Sequence, residues 1–258
     1  MAEFMSSRFS GNDVLTEILN DPDTGTKKLQ KNSDADAVRL VQEALYDLVW
    51  AQPFPGEDHY PLRVRFVDGD YGPTTERSVL AFKTKYRIVF PPGDPNGFID
   101  GYTGPRTLEK LDLQIAHRDE IQEVIVEKVG ELQRAGAPVR LFPIGDEPPP
   151  LQPWLGSGRY LRWWTAWGED PAAETGVIVA SSNDDAFEVH GPIFRRWWDL
   201  GGCTGTFGPP TSDVTADGQG GFVSTFSGGQ IAVDAAGTVT EQPGPIAYQP
   251  PSGDDAIV

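Results

Sequence analysis

The chain has 258 residues, 38% of them hydrophobic, with 29 glycines and 23 prolines, enough for one large or two modest cored domains rich in turns. Its formal charge of −17 argues against nucleic-acid and anionic-membrane partners, which need clustered Lys and Arg, and against anionic polymers such as teichoic acids. No apolar run reaches the ~18 residues of a membrane span, Met1 to Ser10 lack the basic and apolar regions of a signal peptide, and the one cysteine, Cys203, has no intramolecular partner for a disulfide.

In chain order, Val14, Leu15, Ile18 and Leu19 predict a small helix capped by Asn12-Asp13. Ala37, Val38, Val41, Ala44, Leu45 and Leu48 recur at helical steps, with Asp34 or Asp36 available as cap. A loop holding Pro53, Pro55, Gly56 and Pro61 follows. Next comes a phrase written twice, 32 residues apart: Phe66-Val67-Asp68-Gly69-Asp70-Tyr71-Gly72-Pro73-Thr74-Thr75 and Phe98-Ile99-Asp100-Gly101-Tyr102-Thr103-Gly104-Pro105-Arg106-Thr107. Asp-Gly supplies a turn that tolerates positive φ, and Pro after Gly opens a helix where a missing N–H costs nothing. The first copy leads into a helix over about Thr74–Tyr86, with Val79, Phe82 and Tyr86 on one face; the second leads into a short helix ending near Asp112.

A further helix is expected over Ile115–Ala135, striped by Ile121, Ile125, Val129 and Leu132, with mixed charges that suit a packing or connecting role. Pro148-Pro149-Pro150 marks a stiff spacer. Beyond it, Leu151–Val258 has no Lys, four Arg and 13 acidic residues, and short β-branched runs between Gly-rich turns read as β. This half also repeats internally. Gly176-Val177-Ile178-Val179 returns 53 residues later as Gly229-Gln230-Ile231-Ala232, and Gly191-Pro192-Ile193 as Gly244-Pro245-Ile246. Gly156 to Tyr160 resembles Gly218 to Phe222 at an offset of 62.

The order Asp36 to Leu45, Asp68 to Thr75, Val79 to Lys83, then Asp100-Gly101 and Gly104 to Leu108 resembles the three-helix type of peptidoglycan-binding domain. Its loops Val49–Arg65 and Val89–Asn96 are longer than that family's. Val189 to Ile193, Gly201-Gly202, Gly205 to Asp213, Asp217-Gly218 and Gly228 to Ile231 resemble the LGFP repeat family of actinobacterial cell-envelope proteins, with Phe207 in place of the family leucine and Pro209 in place of its aromatic residue. The fold class expected is α+β multidomain. It comprises an N-terminal helical extension (1–28), a small helical bundle of peptidoglycan-binding type (29–112), a connecting helix (113–136), a Pro-rich linker (137–153), an LGFP-like β-repeat domain (154–246) and a flexible tail (247–258).

The resemblances imply a non-catalytic protein of the cell wall or cell exterior that binds peptidoglycan or an envelope polysaccharide, without a cofactor. Glycan-binding candidates are Asp68, Tyr71, Thr74, Asp100, Tyr102 and Thr107 of the twin phrases. The pairs Trp163-Trp164 and Trp197-Trp198 add Trp163 and Trp197 as platforms, with one ring of each pair expected to be buried if the pairs lie on strands. The aspartates read more readily as turn-closing side chains than as acid/base groups. Two alternatives stand beside this. The chain is a structural, targeting or cargo component of a contractile, phage-tail-like injection particle docked on tail or baseplate proteins, which suits wall-binding domains without a signal peptide. Or it is a wall hydrolase or transpeptidase using Cys203 with His190, 13 residues upstream. His59, His117 and His190 form no paired zinc-binding motif.

Overall fold

The computed structural model describes residues 2–22, 26–52, 54, 56–57, 61–137, 139–141, 152–154, 159–166, 175–180 and 185–245, with only the backbone described for 139–141, 152–154 and most of 159–166. The chain is mixed α and β and divides into two compact units, Met1–Asp119 and Glu120–Val258. Predicted features on His59, Pro148-Pro149-Pro150 and the tail after Pro245 lie outside the described residues.

The first unit is helical. Helices α1 (Asp13–Leu19), α2 (Ala35–Asp47), α3 (Arg63–Phe66) and α4 (Pro73–Lys85) precede the start of α5 (Pro105–Arg134). Of the two caps offered for α2, Asp34 is the one used: its carboxylate accepts the Ala37 amide at 2.9 Å, as Asn12 accepts that of Leu15 for α1. The predicted stripe of α2 packs with Val79 and Phe82 of α4 and with Leu108, Leu111 and Ile115 of α5 into one core, which Phe9, Leu15 and Ile18 complete. The N-terminal segment is tied in as well. Asp112 accepts hydrogen bonds from the Met5 amide and from the Ser6 amide and hydroxyl, and Arg8 pairs with Asp47 at 2.7 Å. In place of the short helix and separate connecting helix expected, α5 runs unbroken over 30 residues. No Gly or Pro interrupts Arg106–Val129, so nothing stops it at Asp112.

The second unit holds two antiparallel sheets. In the first, β1 (Val139–Leu141) and β2 (Gln152–Trp154) pair with β3 (Arg159–Ala166), followed by β4 (Thr175–Ala180) and β5 (Ala186–His190). The second runs β6 (Thr215–Ala216), β7 (Phe222–Phe226), β8 (Gly229–Val233), β9 (Val239–Pro243). Between them lies a helix where the sequence predicted strand, α6 (Gly191–Asp199), followed by a 3-10 turn at Gly202–Thr204.

The internal repeat of the sequence is also a repeat of hydrogen-bond register. Gly176 pairs with His190, Val177 with Val189 and Ala180 with Ala186; 53 residues on, Gly229 pairs with Pro243, Gln230 with Gln242 and Val233 with Val239. At an offset of 62, Tyr160 opposite Ala180 returns as Phe222 opposite Val233. Each sheet packs one face on the helix preceding it: Ile178, Ala180 and Ala186 on Ile121 and Ile125 of α5, and their counterparts Ile231, Val233 and Val239 among the cluster around Trp197 of α6. The opposite face of the first sheet is also buried, through Leu161, Val177, Val179 and Val189 against Ile193 and Trp197. The positions matching these in the second sheet are Val223, Gln230, Ala232 and Gln242, which are half-buried or exposed.

Candidate functional site

The twin phrases build two different objects. In the first, the turn is knotted shut by Gln42 of α2. Its amide nitrogen donates to Asp68 Oδ1 at 2.8 Å, to the Asp70 carbonyl at 3.1 Å and to Thr75 Oγ1 at 3.0 Å, while its oxygen accepts the Gly69 amide at 2.9 Å. Asp68 also accepts the Asp70 amide at 2.8 Å, which is the turn-closing geometry expected of it. Gly69 has φ +82°, and an added Cβ would also crowd the Ala35 carbonyl and Arg39. Thr74 is buried in the first turn of α4, where its carbonyl accepts the Ser78 hydroxyl at 2.9 Å.

The two tyrosines are not equivalent. Tyr71 stands third after Asp68 and Tyr102 second after Asp100, so the counterpart of Tyr71 is Thr103. Both counterparts point inward and meet. Tyr71 is 1% exposed; its hydroxyl donates to the Gly101 carbonyl at 2.9 Å and lies 2.8 Å from Thr103 Oγ1. Burial pushes the phenol well above its ordinary pKa, so it stays protonated. Its ring therefore presents no face to a sugar and instead joins the two turns within the core.

The second copy lines a cleft of about 210 Å³. Asp100 closes its turn by accepting the Tyr102 amide at 3.2 Å and accepts a hydrogen bond from Lys83 of α4, whose ammonium also donates to the Tyr102 carbonyl at 3.3 Å. Gly101 is required here by close approach rather than by φ, because a Cβ would meet the backbone and side chain of Glu76 at 3.1 and 3.2 Å. Leu29 and Thr103 exchange backbone hydrogen bonds, which brings the neighbouring Lys28 to Tyr102, its ammonium 4.2 Å from the ring centroid. The far wall is a two-residue ladder: Phe90 and Phe98 exchange backbone hydrogen bonds, with ring centroids 5.9 Å apart. Arg106, in the first turn of α5, donates to the Val89 carbonyl, and the buried Thr107 completes the floor. Tyr102 is half-buried and Phe98 exposed.

Of the six candidates in the twin phrases, the structure brings Asp100, Tyr102 and Thr107 together at this cleft, and leaves Asp68, Tyr71 and Thr74 in the turn and core that support it. Sequence reasoning missed Lys28, Lys83, Phe90 and Phe98. A signal existed for Lys83, a cation on the helix that the first phrase launches.

In the second unit Trp197 is wholly buried; its indole N–H donates to the Gly208 carbonyl at 2.8 Å and its ring stacks on Phe226 with centroids 6.0 Å apart. It is a core residue, whereas its neighbour Trp198 is 40% exposed. The pair lies on a helix rather than the strand assumed for it, so the split arises from the 100° step of α6. Trp163 lies on β3 with its backbone opposite Val177, and its side chain is outside the described residues. Cys203 is fully buried in the 3-10 turn within the cluster around Trp197. His190, which precedes α6, has Nδ1 2.9 Å from both carboxylate oxygens of the buried Glu188. His117 lies on α5. Among the described residues no group of three His, Cys, Asp or Glu side chains converges to hold a metal, and no helix is long and apolar enough to cross a membrane.

The chain matches no family model and no curated protein.

Proposed function

We infer that the protein is a non-catalytic cell-wall binding protein whose first unit holds peptidoglycan and whose second unit, of LGFP-like repeat type, holds an envelope polysaccharide. The observation that carries the reading is the cleft at the second Asp-Gly turn. It sets a half-buried tyrosine and an exposed phenylalanine beside lysine and arginine, the combination of apolar face and hydrogen-bond donors that fixes a saccharide or peptide fragment. At about 210 Å³ it is smaller than the ~300–1,000 Å³ of drug-sized pockets and suits one sugar or one short peptide end. In the second unit the partly exposed Trp198, its ring 5.6 Å from Phe194, supplies an aromatic surface.

The test is co-sedimentation of the full chain with purified sacculi stripped of secondary polymers. The chain is expected in the pellet, with Tyr102→Ala binding about fivefold more weakly through loss of one stacked ring. Wild-type protein that stays in the supernatant over stripped and unstripped walls alike overturns the reading.

A further inference from the structure

We propose that the cleft is a carboxylate site: it takes the carboxylate end of a wall fragment, with the small aliphatic or ring portion next to that carboxylate lying against Tyr102 and Phe98. The inference rests on the wall-binding reading and adds the chemistry that is recognised.

The first ground is a local reversal of charge. The whole chain has 38 acidic and 21 basic side chains, yet the cleft is lined by Lys27, Lys28, Lys83 and Arg106 against a single carboxylate, Asp100. The second ground is how those charges are spent. Lys83 and Asp100 neutralise each other, and Lys83, with a side chain 6% exposed, belongs to the floor. Lys27 pairs at 3.0 Å with Glu17 on the rim. Lys28 is placed differently: its ammonium rests on the face of Tyr102, a contact that occupies one side of the cation and leaves donors to spare. The adjoining first turn of α5, opened by Pro105 and Arg106, adds the positive end of a helix dipole to the cleft that Lys28 lines.

The third ground separates carboxylate from the alternatives. A neutral glycan gains little from a cationic rim. A phosphodiester polymer needs a row of unpaired cations and is repelled by the field of the whole chain. A single carboxylate flanked by a small apolar group uses what is present, with Lys28 for the charge and Ile88, Phe90 and Phe98 for the apolar flank. In a wall fragment that carboxylate belongs either to a stem-peptide terminus or to a uronic acid.

The experiment is an NMR titration of the full chain with four probes: acetyl-Ala-Ala with a free C-terminus, the same dipeptide as its amide, a glucuronate oligosaccharide, and inorganic phosphate. The expected result is saturable shifts around Tyr102 and Arg106 with a carboxylate probe and at least tenfold weaker binding of the amide, as loss of a charge-assisted hydrogen bond implies. Lys28→Gln should lose about fivefold or more, while Lys28→Arg stays within about twofold of wild type. Binding by the free dipeptide supports a peptide source, and binding by glucuronate in its place supports a saccharide source with the same chemistry. Equal binding of acid and amide, tighter binding of phosphate than of either carboxylate, or indifference to Lys28→Gln overturns the proposal. If sacculi still sediment the chain while neither carboxylate probe binds, the carboxylate inference fails and the wall-binding reading stands; if sacculi fail too, that reading fails with it.

Discussion

Replacing Gln42 by alanine removes the side chain that ties the first Asp-Gly turn to α2, and the cost can be worked bond by bond. Gln42 is 1% exposed and makes the four hydrogen bonds described above. Two of its partners, Asp68 and the Asp70 carbonyl, belong to exposed residues, and water replaces the lost amide at about zero to 1 kcal/mol each. The other two, the Gly69 amide and the buried Thr75 hydroxyl, are left poorly solvated at about 1–2 kcal/mol each, less what Thr75 recovers through its bond to the Asp70 carbonyl. With the lost side-chain packing, the sum is about 2–6 kcal/mol. In urea, at about 1–3 kcal/mol/M for the slope, this moves the midpoint by about 1 M or more. Far-UV circular dichroism weights the helices of the first unit, whereas six of the seven tryptophans lie in the second half, so the dichroism transition is expected to move and the fluorescence transition to hold still. Gln42→Glu keeps the shape but aims a carboxylate at Asp68. It should be at least as damaging as alanine at neutral pH. A loss below about 0.5 kcal/mol for Gln42→Ala would refute the idea that this amide organises the turn.

Asp100→Ala should destabilise the first unit more than Lys83→Met, measured by thermal unfolding. The former strands an ammonium whose side chain is 6% exposed, whereas the latter leaves a carboxylate, 23% exposed, that water can reach. Tyr71 titrates from 10.0 in the unfolded chain to a higher value when folded. Its contribution is thus complete below pH 10 and lost as pH rises from there toward the folded value; Tyr71→Phe should be less stable at neutral pH by about 1–3 kcal/mol, with a gap to wild type that narrows in alkaline urea titrations. Trp197→Phe should cost the second unit about 2–4 kcal/mol, through the unpaired Gly208 carbonyl and the lost stack on Phe226, read as an earlier near-UV dichroism transition.

The helices of the first unit were legible because their signals are local. Asp34, Asn12 and the stripe Val38-Val41-Leu45 act within one or two turns of where they stand in the sequence. The Gly-Pro start was legible at Pro73 and Pro105, and the same signal stands at Gly191-Pro192, where α6 begins. The β-branched and Gly-rich residues around it read as strand and mask that signal, so the helical setting of Trp197 and Trp198 is hidden in the sequence. The cleft was half legible. Asp100, Tyr102 and Thr107 lie within the phrase, but Lys28 and Phe90 reach it through the Leu29–Thr103 and Phe90–Phe98 ladders, tertiary pairings that no periodicity announces. The opposite fates of Tyr71 and Tyr102 follow from a one-residue offset after Asp-Gly, which composition alone conceals.

The matched registers of the two sheets set off their side chains. In the first sheet Val177, Val179 and Val189 receive α6, so that sheet is an interior layer. The same lattice sites in the second sheet are Gln230, Ala232 and Gln242. Among the described residues these sites are half-buried at Gln230 and Ala232 and exposed at Gln242. The two sheets thus share their strand pairing and differ in the side chains at these sites. Valine at Gln230 and Gln242 would give this face the apolar side chains that Val177 and Val189 present to α6 in the first sheet.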